Sequence, residues 1–110
     1  MICNQWEVVV VPFPFSEKPA IKRRPALVLS CGEFNEAGHT ILAMITTQLH
    51  KAWPGDMVLE DYKSAGLKLP CVVRLKLFTL DNRLILSTIG HLSRDEVAKV
   101  NAALKLSFGF

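Results

Sequence analysis

Residues 8–31, VVVVPFPFSEKPAIKRRPALVLSC, contain two apolar runs that flank a short basic segment. The β-branched run 8–11 is short enough for a strand and apolar enough to be buried on both faces. Pro12 and Pro14 lack a backbone donor, so we expect the first strand to end there. Residues 16–24 are then predicted to form a loop, and residues 26–30 a second strand.

The pattern beyond this stretch predicts more short strands. Residues 33–39 are polar, with Gly38 near their end, which is typical of a turn or a single helical turn. Trp53-Pro54-Gly55 is a turn signal, and the strand after it should place Met57 and Leu59 on one face. Further strands are predicted at residues 40–46, 56–60, 71–77 and 83–89.

The period then changes to that of a helix. Ser93 and Glu96 have the spacing of a capping box, and Leu92 can pack on Val97 as a hydrophobic staple. The apolar stripe that follows has helical spacing and consists of Val97, Val100, Leu104 and Phe108. Five or six short strands before one amphipathic helix predict a mainly β, α+β protein, in which a small barrel or curled sheet packs on the helix.

Composition limits the class of protein. A chain of 110 residues is expected to form one domain, residues 1–110, and a hydrophobic content of 50% argues against disorder. No apolar run reaches the roughly 20 residues that span a bilayer, and MICNQWE lacks a basic leader. We therefore expect a cytoplasmic protein without membrane contact.

Cysteine and histidine usage predicts neither a disulfide framework nor a metal site. The three cysteines, Cys3, Cys31 and Cys71, are widely spaced without a C-x-x-C pair, and the three histidines are equally scattered. We expect no metal and no cofactor. The net charge of +3 is too small by itself to indicate nucleic-acid binding.

The distribution of charge is more informative than its total. The densest group of cations is Lys18, Lys22, Arg23 and Arg24, in the predicted loop. Such clustering is explained either by simple solvation or by an anionic partner.

Six blocks in this order resemble the MazF/PemK family of toxins from bacterial toxin–antitoxin pairs. They are VVVPFPF (9–15), RRPALVLS (23–30), MITTQ (44–48), VVRL (72–75), FTLDNRLI (78–85) and IGHLS (89–93). The resemblance implies an SH3-like barrel of five to seven short strands with a C-terminal helix. It also implies a homodimer and a metal-independent, sequence-selective endoribonuclease that an acidic antitoxin inhibits. Operator DNA would be bound only through that antitoxin.

The resemblance also implies site residues. Arg24 and Thr46 match family positions that contact the scissile phosphate, and Arg74 matches the arginine of the PemK branch. A guanidinium can donate two hydrogen bonds to phosphate oxygens, and a hydroxyl can donate one. We expect Trp53 to stack on an unpaired base. The remaining residues expected to bind single-stranded RNA are Lys18, Lys22, Arg23, Thr47, Gln48 and Lys76.

One departure from the family concerns the general base. The PemK branch pairs its arginine with a nearby aspartate, but Arg74-Leu75-Lys76-Leu77 contains no acid. Arginine is itself a poor base because its pKa exceeds about 12. Glu17, a histidine, Lys76 acting electrostatically, or substrate and water alone remain as alternatives.

Two other functions fit the same fold, since fold does not determine function. One is a toxin that poisons gyrase through the end of its C-terminal helix. The other is a non-catalytic nucleic-acid-binding module or co-repressor.

Overall fold

The computed structural model describes residues 1–13, 22–47 and 51–110. Six strands form one antiparallel sheet in the order β4-β5-β3-β2-β1-β6. The strands are β1 (Glu7–Phe13), β2 (Lys22–Val28), β3 (His39–Thr47), β4 (Met57–Leu59), β5 (Cys71–Asp81) and β6 (Ser87–His91). The helices are α1 (Gly32–Asn35) and α2 (Arg94–Phe108), and residues Asn82–Leu84 form a 3-10 turn. The prediction of a mainly β fold with a curled sheet and a C-terminal helix is confirmed.

The prediction that Pro12 ends the first strand is wrong, because β1 continues to Phe13. The Leu86 N–H donates to the Val10 carbonyl, so the polar groups of Val10 and, by alternation, of Pro12 point toward β6. The pairing of β1 with β6 stops at Val10. A backbone N–H at position 12 would therefore have no neighbouring strand to donate to, so proline at this position costs no hydrogen bond between strands.

The predicted loop 16–24 is wrong at its end, because Lys22, Arg23 and Arg24 belong to β2. Pro25 lies inside this strand, opposite Val10, and its backbone faces β3. The ladder between β2 and β3 begins only at Ala26. Pro25 is thus tolerated for the same reason as Pro12. The basic residues before it belong to β2 and not to a loop.

Two hydrophobic cores lie on the two faces of the sheet. One face packs on α2 and contains Leu27, Ala43, Ile45 and Val73, together with Val100 of the helix. The opposite face carries the second core, whose members are Cys3, Val9, Val11, Ala26, Val28, Leu42, Leu80 and Ile85. Strand β4 has the predicted alternation, with Met57 and Leu59 buried and Val58 exposed.

The two edges of the sheet meet through a contact between backbones. Gly66 has a φ of +78°, and a Cβ atom on it would lie 2.0 Å from the carbonyl oxygen of Ile89. A Cβ atom on Gly90 would lie 2.3 Å from the carbonyl carbon of Ala65. Only glycine permits this approach, which brings the turn after β4 onto β6 and curls the sheet.

The second half of the chain departs from prediction in four places. Strand β5 continues to Asp81, four residues beyond its predicted end at residue 77. Residues 83–86 lie outside β6, because Asp81 accepts a hydrogen bond from the Arg83 N–H and begins the 3-10 turn. Ser93 caps α2 by accepting from the Glu96 N–H at 3.3 Å, but the Glu96 carboxylate accepts from the Glu60 N–H at 2.9 Å. Phe108, predicted to join the buried stripe, is 59% exposed.

The cysteines are all free thiols. Cys3 and Cys71 are buried and Cys31 is exposed. Burial raises the pKa of the Cys3 and Cys71 thiols.

Candidate active site

The pairing register places Arg24, Thr46 and Arg74 on one face of β2, β3 and β5, which we call the arginine face. Met44 pairs with Ala26 on one side and with Arg74 on the other. Arg24 and Thr46 each lie two residues along their strands from this row, so their side chains point to the same face. With strands about 4.8 Å apart and Arg74 two residues along β5 from the row of Arg24 and Thr46, the three residues span roughly 12 Å. The arginine face continues the second core, because Arg24 pairs with Val11.

Arg24 is half-buried at the edge of this core. Its guanidinium carbon lies 5.8 Å from the centre of the Phe13 ring. Its Nε atom is buried and has no hydrogen-bond partner among the described residues. A buried donor without a partner is rare in proteins and calls for an acceptor, which an anionic ligand could supply.

Thr46 pairs with Val72 near the end of β3 and is half-buried. Its position two residues beyond Met44 turns its hydroxyl toward the same face as the two arginines. A hydroxyl there can donate to an oxygen bound between them.

Arg74 is held by Asp56, a residue that the sequence reasoning missed. Nε donates to Oδ1 at 3.1 Å and Nη2 donates to Oδ2 at 2.9 Å, so the pair is bidentate. The side chains of Arg74 and Asp56 are only 12% and 11% exposed. Nη2 also donates to the Lys51 carbonyl at 3.0 Å. Within the described part of the chain, no hydrogen bond involves Nη1, which leaves two N–H donors for a ligand.

The ion pair fixes the protonation state of both groups. Hydrogen bonds from Arg74 hold the pKa of the Asp56 carboxyl below its ordinary value, and the Trp53 N–H, which donates to Oδ2 at 2.9 Å, acts in the same direction. Hydrogen bonds to Asp56 raise the pKa of Arg74. At neutral pH the pair is therefore a fixed carboxylate and a fixed guanidinium, and neither group is suited to exchange protons.

A bulge in β5 places Lys76 beside Arg74. Ala43 pairs with Leu77 and the next residue of β3, Met44, pairs with Arg74, so Leu75 and Lys76 have no partner on β3. Bulges of this kind redirect side chains and are frequent beside active sites. Here the Lys76 Nζ lies 5.6 Å from the centre of the Trp53 ring.

The other residues predicted to bind RNA differ in where they lie and in how exposed they are. Lys22 is exposed on β2 and shares the face of Arg24, whereas the exposed Arg23 and the half-buried Thr47 alternate to the opposite face of the sheet. Trp53 is 43% exposed and lies against Arg74. Lys18 and Gln48 lie outside the described residues, as do Glu17 and His50.

The described histidines lie away from the arginine face. His39 pairs with Asp81, at the opposite end of β5 from Arg74. His91 pairs with Glu7, at the opposite end of β1 from the strand position of Arg24. Neither ring is placed to act as a base beside the two arginines.

The sequence alone did not indicate Asp56 as a site residue, because its partner Arg74 is 18 residues away in the sequence. The signal that was available is the turn before it, where Gly55 has a φ of +83° and the Asp56 N–H donates to the Trp53 carbonyl at 3.1 Å. That turn aims Asp56 back across β5, but only the pairing of β4 with β5 determines which residue it meets.

Two further features of the described residues concern metal binding and membrane-spanning helices. No group of three or more His, Cys, Asp or Glu side chains in residues 1–13, 22–47 and 51–110 is arranged to hold a metal ion. None of the helices in this part of the chain is long and apolar enough to cross a membrane.

Solved structures with the same fold include MazF toxins and endoribonucleases. A MazE–MazF complex from Deinococcus radiodurans superposes with a TM-score of 0.79 and 22% identity, covering 100% of this chain and 99% of the other. The Mycobacterium tuberculosis toxin MazF-mt6 superposes with a TM-score of 0.76 and 19% identity, covering 94% and 97%. A mycobacterial endoribonuclease bound to its cognate antitoxin superposes with a TM-score of 0.74 and 15% identity, covering 99% of this chain and 95% of the other. At these identities the likeness establishes the fold.

The family is established by the sequence. No curated protein matches the chain significantly. The sequence model of the PemK-like, MazF-like toxins of type II toxin–antitoxin systems matches residues 4–108, nearly the whole chain. With this match and the fold of the MazF toxins, the chain belongs to the PemK-like, MazF-like toxin family.

Proposed function

We propose that this toxin is an endoribonuclease that cuts single-stranded RNA through attack by the substrate's own 2′-OH. The observation that carries the proposal is the common face of Arg24, Thr46 and Arg74, two guanidinium groups flanking a hydroxyl. Their spacing of roughly 12 Å suits one phosphodiester and its neighbours. The related endoribonuclease structure from mycobacteria supports the same activity.

The reaction needs little chemistry from the protein besides charge stabilisation. The 2′-oxygen forms a bond to phosphorus while the bond to the 5′-oxygen breaks, giving a 2′,3′-cyclic phosphate and a 5′-OH. Water accepts the proton of the 2′-OH, and water also delivers a proton to the departing 5′-oxygen. As the phosphorane gains negative charge, Arg24 and Nη1 of Arg74 donate to its non-bridging oxygens, and the Thr46 hydroxyl donates from between them.

Asp56 acts in this proposal by positioning Arg74. Both carboxylate oxygens already accept hydrogen bonds, and the lowered pKa of Asp56 disfavours proton uptake near neutral pH. The pair therefore supplies a fixed positive charge in place of an acid–base couple. The guanidinium is oriented before RNA arrives, so no reorganisation is needed in the transition state.

The proposal also includes metal independence, because the nucleophile belongs to the substrate and the charge is neutralised by guanidinium groups. The exposed cation Lys22 would hold a flanking phosphate, with Lys76 at the rim, whereas Arg23 and Thr47 alternate to the other face of the sheet and take no part in this site. Contacts of this kind give affinity and salt dependence without sequence information.

We further propose that an acidic antitoxin segment binds over the same cations and blocks the RNA, and that the toxin acts as a homodimer. The antitoxin-bound relatives from Deinococcus radiodurans and mycobacteria support this partner. Charge complementarity would make binding of the antitoxin and of RNA mutually exclusive.

The test is cleavage of a long single-stranded RNA by purified toxin in the presence of EDTA. Discrete cuts that end in cyclic phosphate are expected. Arg24→Ala should abolish them, while Arg83→Ala, which removes an exposed arginine at the far end of β5, should cut at the wild-type rate. Native-rate cutting by Arg24→Ala, or no cutting by the wild type, contradicts the proposal.

The gyrase-poisoning alternative is favoured by one observation, an exposed apolar patch at the end of α2. Leu106, Phe108 and Phe110 are 87%, 59% and 78% exposed, and the two phenylalanine rings stack at 6.1 Å. An exposed apolar patch is typical of a protein-binding surface. Inhibition of gyrase supercoiling without RNA cleavage would support the gyrase-poisoning alternative, and a gel shift without cuts would support a binding module.

A further inference from the structure

The indole ring of Trp53 lies against two cations of β5. The guanidinium carbon of Arg74 is 5.2 Å from the ring centre, and Nζ of Lys76 is 5.6 Å from it. Cations at these distances are attracted to the π-system of the ring. Although two cations contact the ring, Trp53 remains 43% exposed. We call its exposed aromatic surface, which lies beside this positive charge, the platform.

The platform is rigidly connected to the arginine face. The Trp53 N–H donates to the Asp56 carboxylate, which holds Arg74. The Trp53 carbonyl accepts from the Asp56 N–H, and Arg74 donates to the carbonyl of Lys51. The backbone of Trp53 and the guanidinium of Arg74 are thus held by the same turn, residues 53–56, and the indole packs against that guanidinium.

From this arrangement we infer that the platform of Trp53 binds one unpaired nucleobase, next to the phosphate that Arg74 holds. The inference deepens the proposed ribonuclease function and depends on RNA being the ligand of this site. A base in a duplex has both faces covered by its neighbours and cannot stack on the indole. The platform therefore selects single-stranded RNA at the point where the chain is cut.

Charge favours a nucleotide over a purely apolar occupant. Arg74 and Lys76 both lie against the ring, and Asp56 neutralises only Arg74. A nucleotide places an aromatic plane and an anionic phosphate within the same short unit, which matches an aromatic platform beside cations. An apolar peptide would leave the cations without acceptors.

The test is a two-by-two binding experiment that separates bases from phosphates. The proteins are the wild type and Trp53→Leu, and the probes are fluorescent 12-mers of 2′-O-methyl RNA, either with bases or with every base replaced by an abasic unit. The 2′-O-methyl group removes the nucleophile, so binding is measured without cleavage. Of the homopolymers A12, C12 and U12, the tightest binder is used with its abasic counterpart, and anisotropy gives each Kd.

Stacking predicts that Trp53→Leu weakens binding of the base-carrying strand about 5- to 100-fold and changes binding of the abasic strand less than twofold. Trp53→Phe, which keeps a ring, should lose much less. Leu84→Ala, which truncates a side chain that is 46% exposed on the 3-10 turn, should bind like the wild type. A duplex of the same sequence should not respond to Trp53→Leu.

Equal losses on both strands would overturn the inference, because Trp53 would then act only by supporting the phosphate contacts of Arg74. Unchanged binding by Trp53→Leu, or no binding of base-carrying RNA by the wild type, would overturn it as well. A toxin that passes this test but does not cut unmodified RNA would refute the ribonuclease proposal while leaving the platform in place.

Discussion

Substitution of Asp56 by asparagine tests whether this residue positions Arg74 or exchanges protons. Three donors converge on its two oxygens: Nε of Arg74 on Oδ1, and Nη2 of Arg74 with the Trp53 N–H on Oδ2. Asparagine has one acceptor oxygen and one NH₂ group. In its better orientation the oxygen takes the place of Oδ2 and keeps two bonds, while the NH₂ group faces the Nε–H and repels it.

The guanidinium is then held through one nitrogen instead of two and can rotate. A displacement of about 1 Å at a catalytic group costs on the order of 100-fold in rate, so we expect cutting at saturating RNA to slow by about 10- to 100-fold. The assay is single-turnover cleavage of a short fluorescent RNA. Asp81→Asn is the matched control, because Asp81 binds Arg83 with the same distances of 3.1 and 2.9 Å at the far end of β5.

The pH dependence separates the two roles of Asp56. Because the pKa of Asp56 is lowered in the folded protein, the stability it contributes is present above about pH 4 and is lost as the pH falls through the folded-state pKa. Asp56→Asn should therefore reduce the cutting rate by a constant factor between pH 5 and 9. Wild-type activity of this variant, or loss of an inflection near neutral pH, would refute the positioning role.

Three other substitutions test the site and the fold. Thr46→Val should raise the barrier to cutting by about 2–3 kcal/mol, the usual loss of one transition-state donor, and an unchanged rate would return Thr46 to a structural role. Asn35→Ala removes three side-chain hydrogen bonds, one buried and two partly buried, and should lower the free energy of unfolding by about 3 kcal/mol in urea titration, and a loss below about 1 kcal/mol would contradict the count. Gly90→Ala should destabilise by about 1–3 kcal/mol or more through its clash with Ala65, whereas Gly32→Ala, whose Cβ meets its nearest neighbour at 3.6 Å, should leave the thermal midpoint nearly unchanged.

Sequence patterns predicted secondary structure most accurately where local residue preferences leave few alternative structures. The run 8–11 became a buried strand, Met57 and Leu59 became one buried face, and Ser93 became the cap of α2. In each case the decisive interactions are local or depend only on burial of an apolar face.

The prolines mark where this reasoning failed. A proline ends a strand only if its missing donor would have faced a partner, and that depends on how far the neighbouring strands extend. Because β6 stops pairing at Val10 and β3 starts pairing at Ala26, Pro12 and Pro25 both lie inside strands. Local sequence could not reveal these endpoints, so the strand membership of Arg24 was missed.

Some features of the arginine face could be predicted from the sequence, and others depend on how the strands pair. The blocks along the chain identified the family and pointed to Arg24, Thr46 and Arg74, since the residue types and their order are written in the sequence. The contact of Asp56 with Arg74, the bulge that turns Lys76 toward Trp53, and the meeting of Gly66 with β6 follow from how distant strands pair. Register is a property of the assembled sheet, in which burial of whole faces is optimised together, so these contacts became visible only in the folded chain.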